Sequence, residues 1–159
     1  MKISISSLYF NPLNLADIEC LSSLGLNAVE LVIYHQFGTY VPCKKMLDFK
    51  AILNKNNIEV SGIQGFTFKP ETDLKKEFLE FTKTWIEHLD NLILSALLFK
   101  TNKLIFGAPS FRLNLKDKEN FVSSFIKTSK YLKLNGIDIL LEAVPEIYGS
   151  KFFSTINSV

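Results

Sequence analysis

The sequence predicts an α/β fold of parallel strands, and three observations carry that expectation. Strand and helix signals alternate from end to end, the strands are rich in Ile, Leu and Val, and each strand is joined to the next by a helix. Crossovers of this kind imply co-directional strands with right-handed connections. Residues 3–6 alternate at period two. Residues 15–24 then place Leu15, Ile18 and Leu21 on one helical face ahead of Gly25, a suitable C-terminal cap. Residues 27–33 (NAVELVI) read as the second strand, and residues 44–56 as a helix turning Met46, Phe49, Ile52 and Leu53 inward. The third strand is 58–64. After it, residues 74–100 carry Phe78, Phe81, Trp85, Leu89, Leu92 and Ala96 at spacings of three and four, which predicts one long helix with an apolar stripe. Residues 103–106 give a fourth strand ending in Gly107, residues 120–134 a fourth helix stopped by Gly136, and residues 137–142 a fifth strand.

Two architectures share this alternation, a doubly wound open sheet and a (β/α)8 barrel. The first strand–helix turn, residues 6–14 (SSLYFNPLN), contains no glycine, so it lacks the phosphate loop of a dinucleotide-binding sheet. A barrel needs eight strands, and five are legible in these 159 residues. No Gly/Ser/Pro-rich linker interrupts the chain, so residues 1–159 read as a single, incomplete domain.

Composition removes several classes. With 47% apolar and 13% aromatic residues the chain has material for a core and is not disordered. A net charge of +2 gives little electrostatic support to nucleic-acid binding. The longest apolar stretch, residues 92–99, is broken by Ser95 and is far short of the ~20 residues that span a bilayer. Residues 1–8 lack the apolar core of a secretory signal. Cys20 and Cys43 form no C-x-x-C pair, which fits a reducing, cytoplasmic setting better than a zinc ribbon or disulfide framework. Neither the serine-nucleophile elbow nor the Walker phosphate loop is present.

Five words of the sequence, in order, carry a resemblance: residues 25–31 (GLNAVEL), 61–66 (SGIQGF), 106–112 (FGAPSFR), 140–149 (LLEAVPEIYG) and 153–155 (FST). Together they resemble the sugar phosphate isomerase/epimerase family with the xylose-isomerase-like TIM barrel. That resemblance implies a partial (β/α)8 barrel of about five parallel strand–helix units, truncated before the last three. It also implies a divalent metal ion (Mn, Mg, Co or Zn), a small carbohydrate as partner, and proton transfer next to a carbonyl as the chemistry. Where relatives often read G-S-P-K-N-R after the fourth strand, this chain keeps Gly107, Pro109 and Arg112 but has Ala108, Ser110 and Phe111 between them. Their E-x-N-P after the fifth strand is Glu142-Ala143-Val144-Pro145 here. Both departures take polar groups from the expected pocket rim.

The residue carried over as metal ligand and acid/base is Glu142, which ends an apolar strand where a parallel barrel presents its chemistry. A cation there would stabilise an enediolate while carboxylates move the proton. Glu30 shares a strand face with Ala28 and Val32 by parity and so points to a substrate or a basic partner inside a barrel. Gln64, at the end of the third strand, is placed to hydrogen-bond a sugar hydroxyl. Arg112 offers a guanidinium fork for a phosphate or carboxylate, and His35 follows the second strand near the same rim. His88 falls on the long helix and reads as an outer-ring residue, the Trp85 stripe as core. Truncation suggests an alternative, a non-catalytic half-barrel that self-associates through open strand edges, pairs with another chain or serves as a binding module. A DNA-repair endonuclease of the same barrel type ranks last, because its expected histidines are absent from residues 65–70.

Overall fold

The computed structural model describes residues 3–68 and 73–155. Residues 1–2, 69–72 and 156–159 lie outside the described residues, and with them the end of the segment 65–70. Five strands form one sheet: β1 (Ser4–Ser6), β2 (Ala28–Val32), β3 (Glu59–Gln64), β4 (Lys103–Phe106) and β5 (Asp138–Leu141). They lie in sequence order, and every neighbouring pair is parallel. That order decides between the two architectures. A doubly wound sheet reverses its strand order at a switch point, whereas a barrel adds each strand beside its predecessor.

The helices between the strands are α1 (Leu15–Ser23), α2 (Ile33–Phe37), α3 (Lys44–Lys55), α4 (Leu74–Glu80), α5 (Lys83–Phe99) and α6 (Lys118–Leu134). Strand residues Val29, Leu31, Val60, Ile63, Leu104 and Phe106 join Met46, Phe49, Leu89, Leu92 and Phe121 of the helices in one buried core. At its centre Phe78 meets Trp85, Phe106, Phe111 and Phe121, with ring centroids 5.3 to 5.5 Å apart. The Trp85 indole donates to Thr128 Oγ1 at 3.0 Å, so its polar edge is satisfied inside the core.

The other sheet face is polar and curls inward. Ser4 Oγ lies 2.7 Å from Ser61 Oγ, and Ser6 Oγ donates to Gln64 Oε1 at 2.7 Å. Both contacts join β1 to β3 across β2. Strands two places apart in a flat sheet stand roughly 9 to 10 Å apart, so short serine side chains meet only because the sheet bends strongly toward that face. Ala28, the small residue beneath, leaves room for the closure. An extra residue in β3, at the register shift opposite Val29 and Glu30, adds to the bend.

One expectation changes. The long helix is two: Phe81 takes the left-handed conformation (φ 50°) at the end of α4, and Thr82 caps α5 by accepting from the Trp85 N–H. An unbroken apolar stripe concealed that capping threonine. His35 follows β2 directly, as expected, within the short helix α2. His88, on α5 as expected, is packed and buried, and its Nε2 lies 2.6 Å from the Phe66 carbonyl oxygen.

Phe78→Ala is expected to lower unfolding stability by about 3 to 5 kcal/mol, because it empties the centre of the aromatic cluster. Urea denaturation checks this, and a loss below about 1 kcal/mol would mean the cluster is loosely packed.

Candidate functional site

Glu142 and Gln64 line one cleft at the C-terminal ends of β5 and β3, and Glu30, in the middle of β2, lies within electrostatic reach of Glu142. Glu142 lies one residue past β5, where its N–H still continues the ladder by donating to the Phe106 carbonyl at 3.1 Å. Its exposed carboxylate lies over Gly107, and a Cβ there would overlap Glu142 Oε2. Gly107 thus leaves the space this carboxylate fills, and its backbone angle is not in the left-handed region. Beside this carboxylate opens a cleft of about 340 Å³, walled by Leu8, Gln64, Thr67, Phe68, Ala108 and Pro109. A larger cavity of about 670 Å³, lined by Ser4, Lys50, Asn57, Lys100 and Lys103, lies at the opposite ends of the strands. Parallel barrels place their chemistry at the carboxyl ends, so the smaller cleft is the candidate site.

Glu30 is half-buried on the polar face. Burial, and then the Glu142 charge, push its carboxyl above the ordinary glutamate value. The pair is unequal: one carboxyl is exposed, while the other is held toward its protonated form. Gln64 is oriented by the Ser6 hydroxyl and lines the cleft. His35 points elsewhere, its Nε2 2.9 Å from the Phe10 carbonyl, and so ties α2 to the segment after β1.

Arg112 is placed quite differently from an open anion fork. Its side chain is wholly buried (0% exposed), and Phe106 and Phe121 lie against the guanidinium, 5.9 and 5.8 Å from ring centroid to Cζ. Nη1 donates to the carbonyls of Glu142 (2.8 Å) and Phe153 (3.2 Å), and Nη2 to that of Phe106 (2.8 Å). The ends of β4 and β5 and the final described segment are thus bolted together. Burial lowers the guanidinium pKa to about 10 against the opposing effect of Glu142, so it stays charged at neutral pH. The physical reason for the correction is local: the 3-10 turn Pro109–Arg112 directs residue 112 back under the strands instead of out over the rim.

Ser6 and Phe68 are site residues that the sequence reading missed. Ser4 and Ser6 fall on one face of an alternating strand, a signal that could have marked them as inward polar groups. Phe68 carries no local signal.

The donor set falls short of a complete metal site. Among the described residues no group of three or more His, Cys, Asp and Glu side chains could hold a metal ion. Glu142 and Glu30 supply a fragment, since structural and catalytic cation sites draw on three or more protein ligands.

Comparison with known proteins agrees with the geometry. No family profile matches the sequence, and no curated protein matches it. Solved structures do. A D-tagatose 3-epimerase-like protein aligns with TM-score 0.68 and 18% identity over 99% of this chain and 58% of its own. A xylose isomerase-like TIM barrel protein from Mycobacterium smegmatis in complex with magnesium gives TM-score 0.58 and 13% identity over 88% and 54%. An AP endonuclease, family 2, from Brucella melitensis gives 0.63 and 15% over 94% and 58%. The chain therefore has the fold of part of a xylose-isomerase-like TIM barrel and spans little more than half the length of these three structures.

Two outcomes are expected. Arg112→Met leaves three main-chain carbonyls without their donor, and a loss of roughly 3 kcal/mol or more in denaturant unfolding is expected. For Glu30, a folded-state pKa above the unfolded value of about 4.3 favours the protonated form. Its stabilising contribution is full below the unfolded value and is lost as pH rises through the folded one. The stability of Glu30→Gln relative to the parent should accordingly grow as pH rises from the unfolded value through the folded one and level off above it. Unfolding measured at a series of pH values checks this, and a pH-independent difference would contradict it.

Proposed function

We propose that this chain carries the Glu142-bearing part of a sugar or sugar-phosphate isomerase/epimerase site, in which a proton moves next to a carbonyl. The observation supporting the reading most directly is Glu142 at the carboxyl end of β5, sharing one cleft with Gln64 and within electrostatic reach of Glu30. Glu142 removes the proton from the carbon beside the carbonyl, and the C–H electron pair becomes the carbon–carbon double bond of an enediol. The carbonyl oxygen takes up a proton in the same step, and this reading assigns that donation to Glu30, the second carboxyl on the polar face. Return of a proton to the other carbon, or to the other face, completes isomerisation or epimerisation. Gln64 orients a hydroxyl. A divalent ion (Mn, Mg, Co or Zn) belongs to this proposal as a group needing ligands beyond Glu142 and Glu30, and none of these steps runs through it.

A second reading is favoured by the open edges of β1 and β5 and by the partial donor set. In it the chain is a half-barrel that pairs with another chain, associates with itself through those edges, or acts as a binding module. A monodisperse, cooperatively melting monomer would count against a needed partner. The endonuclease reading stays last, with a net charge of +2 to set against a polyanionic substrate.

The test is exchange of the C2 proton of ketoses and aldoses in deuterated water, with each of the four metals. Exchange is expected to fall about a hundredfold or more in Glu142→Gln. Exchange unchanged by that substitution rejects the assignment, and no exchange across the panel rejects activity of the 159-residue chain alone.

A further inference from the structure

The cavity of about 670 Å³ at the amino ends of the strands has about twice the volume of the cleft beside Glu142, and the proton-transfer reading makes no use of it. Its chemistry is cationic. Lys50 from the middle of α3, Lys100 from the end of α5 and Lys103 from the start of β4 all line it, with Glu59 the one carboxylate among its described lining residues. Among the described residues no ion pair engages any of the three lysines. Compensation of a helix dipole accounts for a lysine at a helix end, as at position 100, but not for Lys50 in mid-helix or Lys103 on a strand. Ammonium groups gathered around one concave surface repel one another, and its low-dielectric walls concentrate their field. An anion seated among them relieves that repulsion.

The backbone supplies a second observation. Helices α1 and α6 run out into Gly25 and Gly136, whose φ of 75° and 74° lies in the left-handed region that glycine enters without steric penalty. At the two helix ends that border the cavity the left-handed residue is instead Asn57 (φ 56°) or Lys100 (φ 57°), and both line it. Asparagine tolerates that conformation, whereas lysine is strained in it. A glycine at position 100 would fold with less strain, so an ammonium group is held at this rim at the expense of folding stability.

The donor types decide the class of ligand. An ammonium is a compact point charge suited to phosphoryl oxygens, while a carboxylate is met better by the planar fork of an arginine, and the one arginine in the sequence is buried beside Glu142. The side-chain amides of Asn54, Asn57 and Asn102 add neutral donors around the same space. Three ammonium groups balance a diphosphate more nearly than a single phosphate, which carries about two negative charges. The volume falls in the range of small organic ligands. We propose that this amino-end cavity binds a small organic molecule bearing two phosphoryl groups, held by Lys50, Lys100 and Lys103. The site stands apart from the chemistry at Glu142 and does not depend on it.

Inorganic diphosphate, inorganic phosphate and citrate are titrated into the full chain at one fixed ionic strength, and binding is followed by calorimetry and by backbone amide chemical shifts. Diphosphate should bind tightest, with shifts gathered at residues 57 and 100–103. Lys100→Gly should weaken it about threefold or more while the melting temperature holds or rises, because the substitution removes a charge and relieves the backbone together. Lys50→Gln and Lys103→Gln in one chain should weaken it about tenfold or more. Lys83→Gln, an equal loss of charge at the opposite end of α5, should leave it unchanged. No binding, citrate as tight as diphosphate, the same loss from Lys83→Gln as from the cavity variants, or shifts gathered at Gly107 and Glu142 would each overturn the site. Unchanged affinity with a lower melting temperature in Lys100→Gly would show that residue 100 serves the fold alone, and would overturn its part in binding.

Discussion

The strong bend of a sheet whose strands lie in sequence order sets the shape of this molecule. Ser4 meets Ser61 and Ser6 meets Gln64 across β2, contacts that only a sheet curled toward its polar face allows. The curl leaves the convex face to the helices and their aromatic core, and it brings the carboxyl ends of β2, β3 and β5 toward one another. Without it Glu30 and Glu142 would stand on separate strands of an open sheet, too far apart to influence each other's charge. Fold and candidate site therefore share one cause, the strong bend of a sheet whose strands lie in sequence order.

A second layer of organisation fixes Glu142 itself. The Glu142 main chain is held twice, through its N–H to Phe106 and through its carbonyl to Arg112, and its carboxylate has the space that Gly107 leaves empty. One nitrogen of the bolt, Arg112 Nε, is buried with no hydrogen-bond partner. Such an atom costs free energy, which the three Nη bonds and the flanking rings Phe106 and Phe121 must outweigh.

Much of this was readable from residue order. Strand alternation and helical spacing located all five strands to within a residue at either end, and the in-order words pointed to the barrel before its curvature was known. Glu142 was legible because an acid closing an apolar strand breaks a pattern. Arg112 was not, because a guanidinium in a Gly/Pro loop looks the same whether it faces solvent or folds beneath the strands; the choice depends on carbonyls 30 and 41 residues downstream. The split between α4 and α5 was hidden in the same way, since Thr82 changes no hydrophobic period. Phe68 was invisible, its orientation being set by Tyr40, whose hydroxyl comes from 28 residues earlier in the chain.

The consecutive strand order also bears on how the protein is made. During synthesis each new strand can settle beside one already in place, so most of the sheet can assemble as it leaves the ribosome. The corner around Glu142 cannot. Its bolt needs the carbonyl of Phe153, which emerges 41 residues after Arg112, so that corner is the last part of the sheet to become rigid.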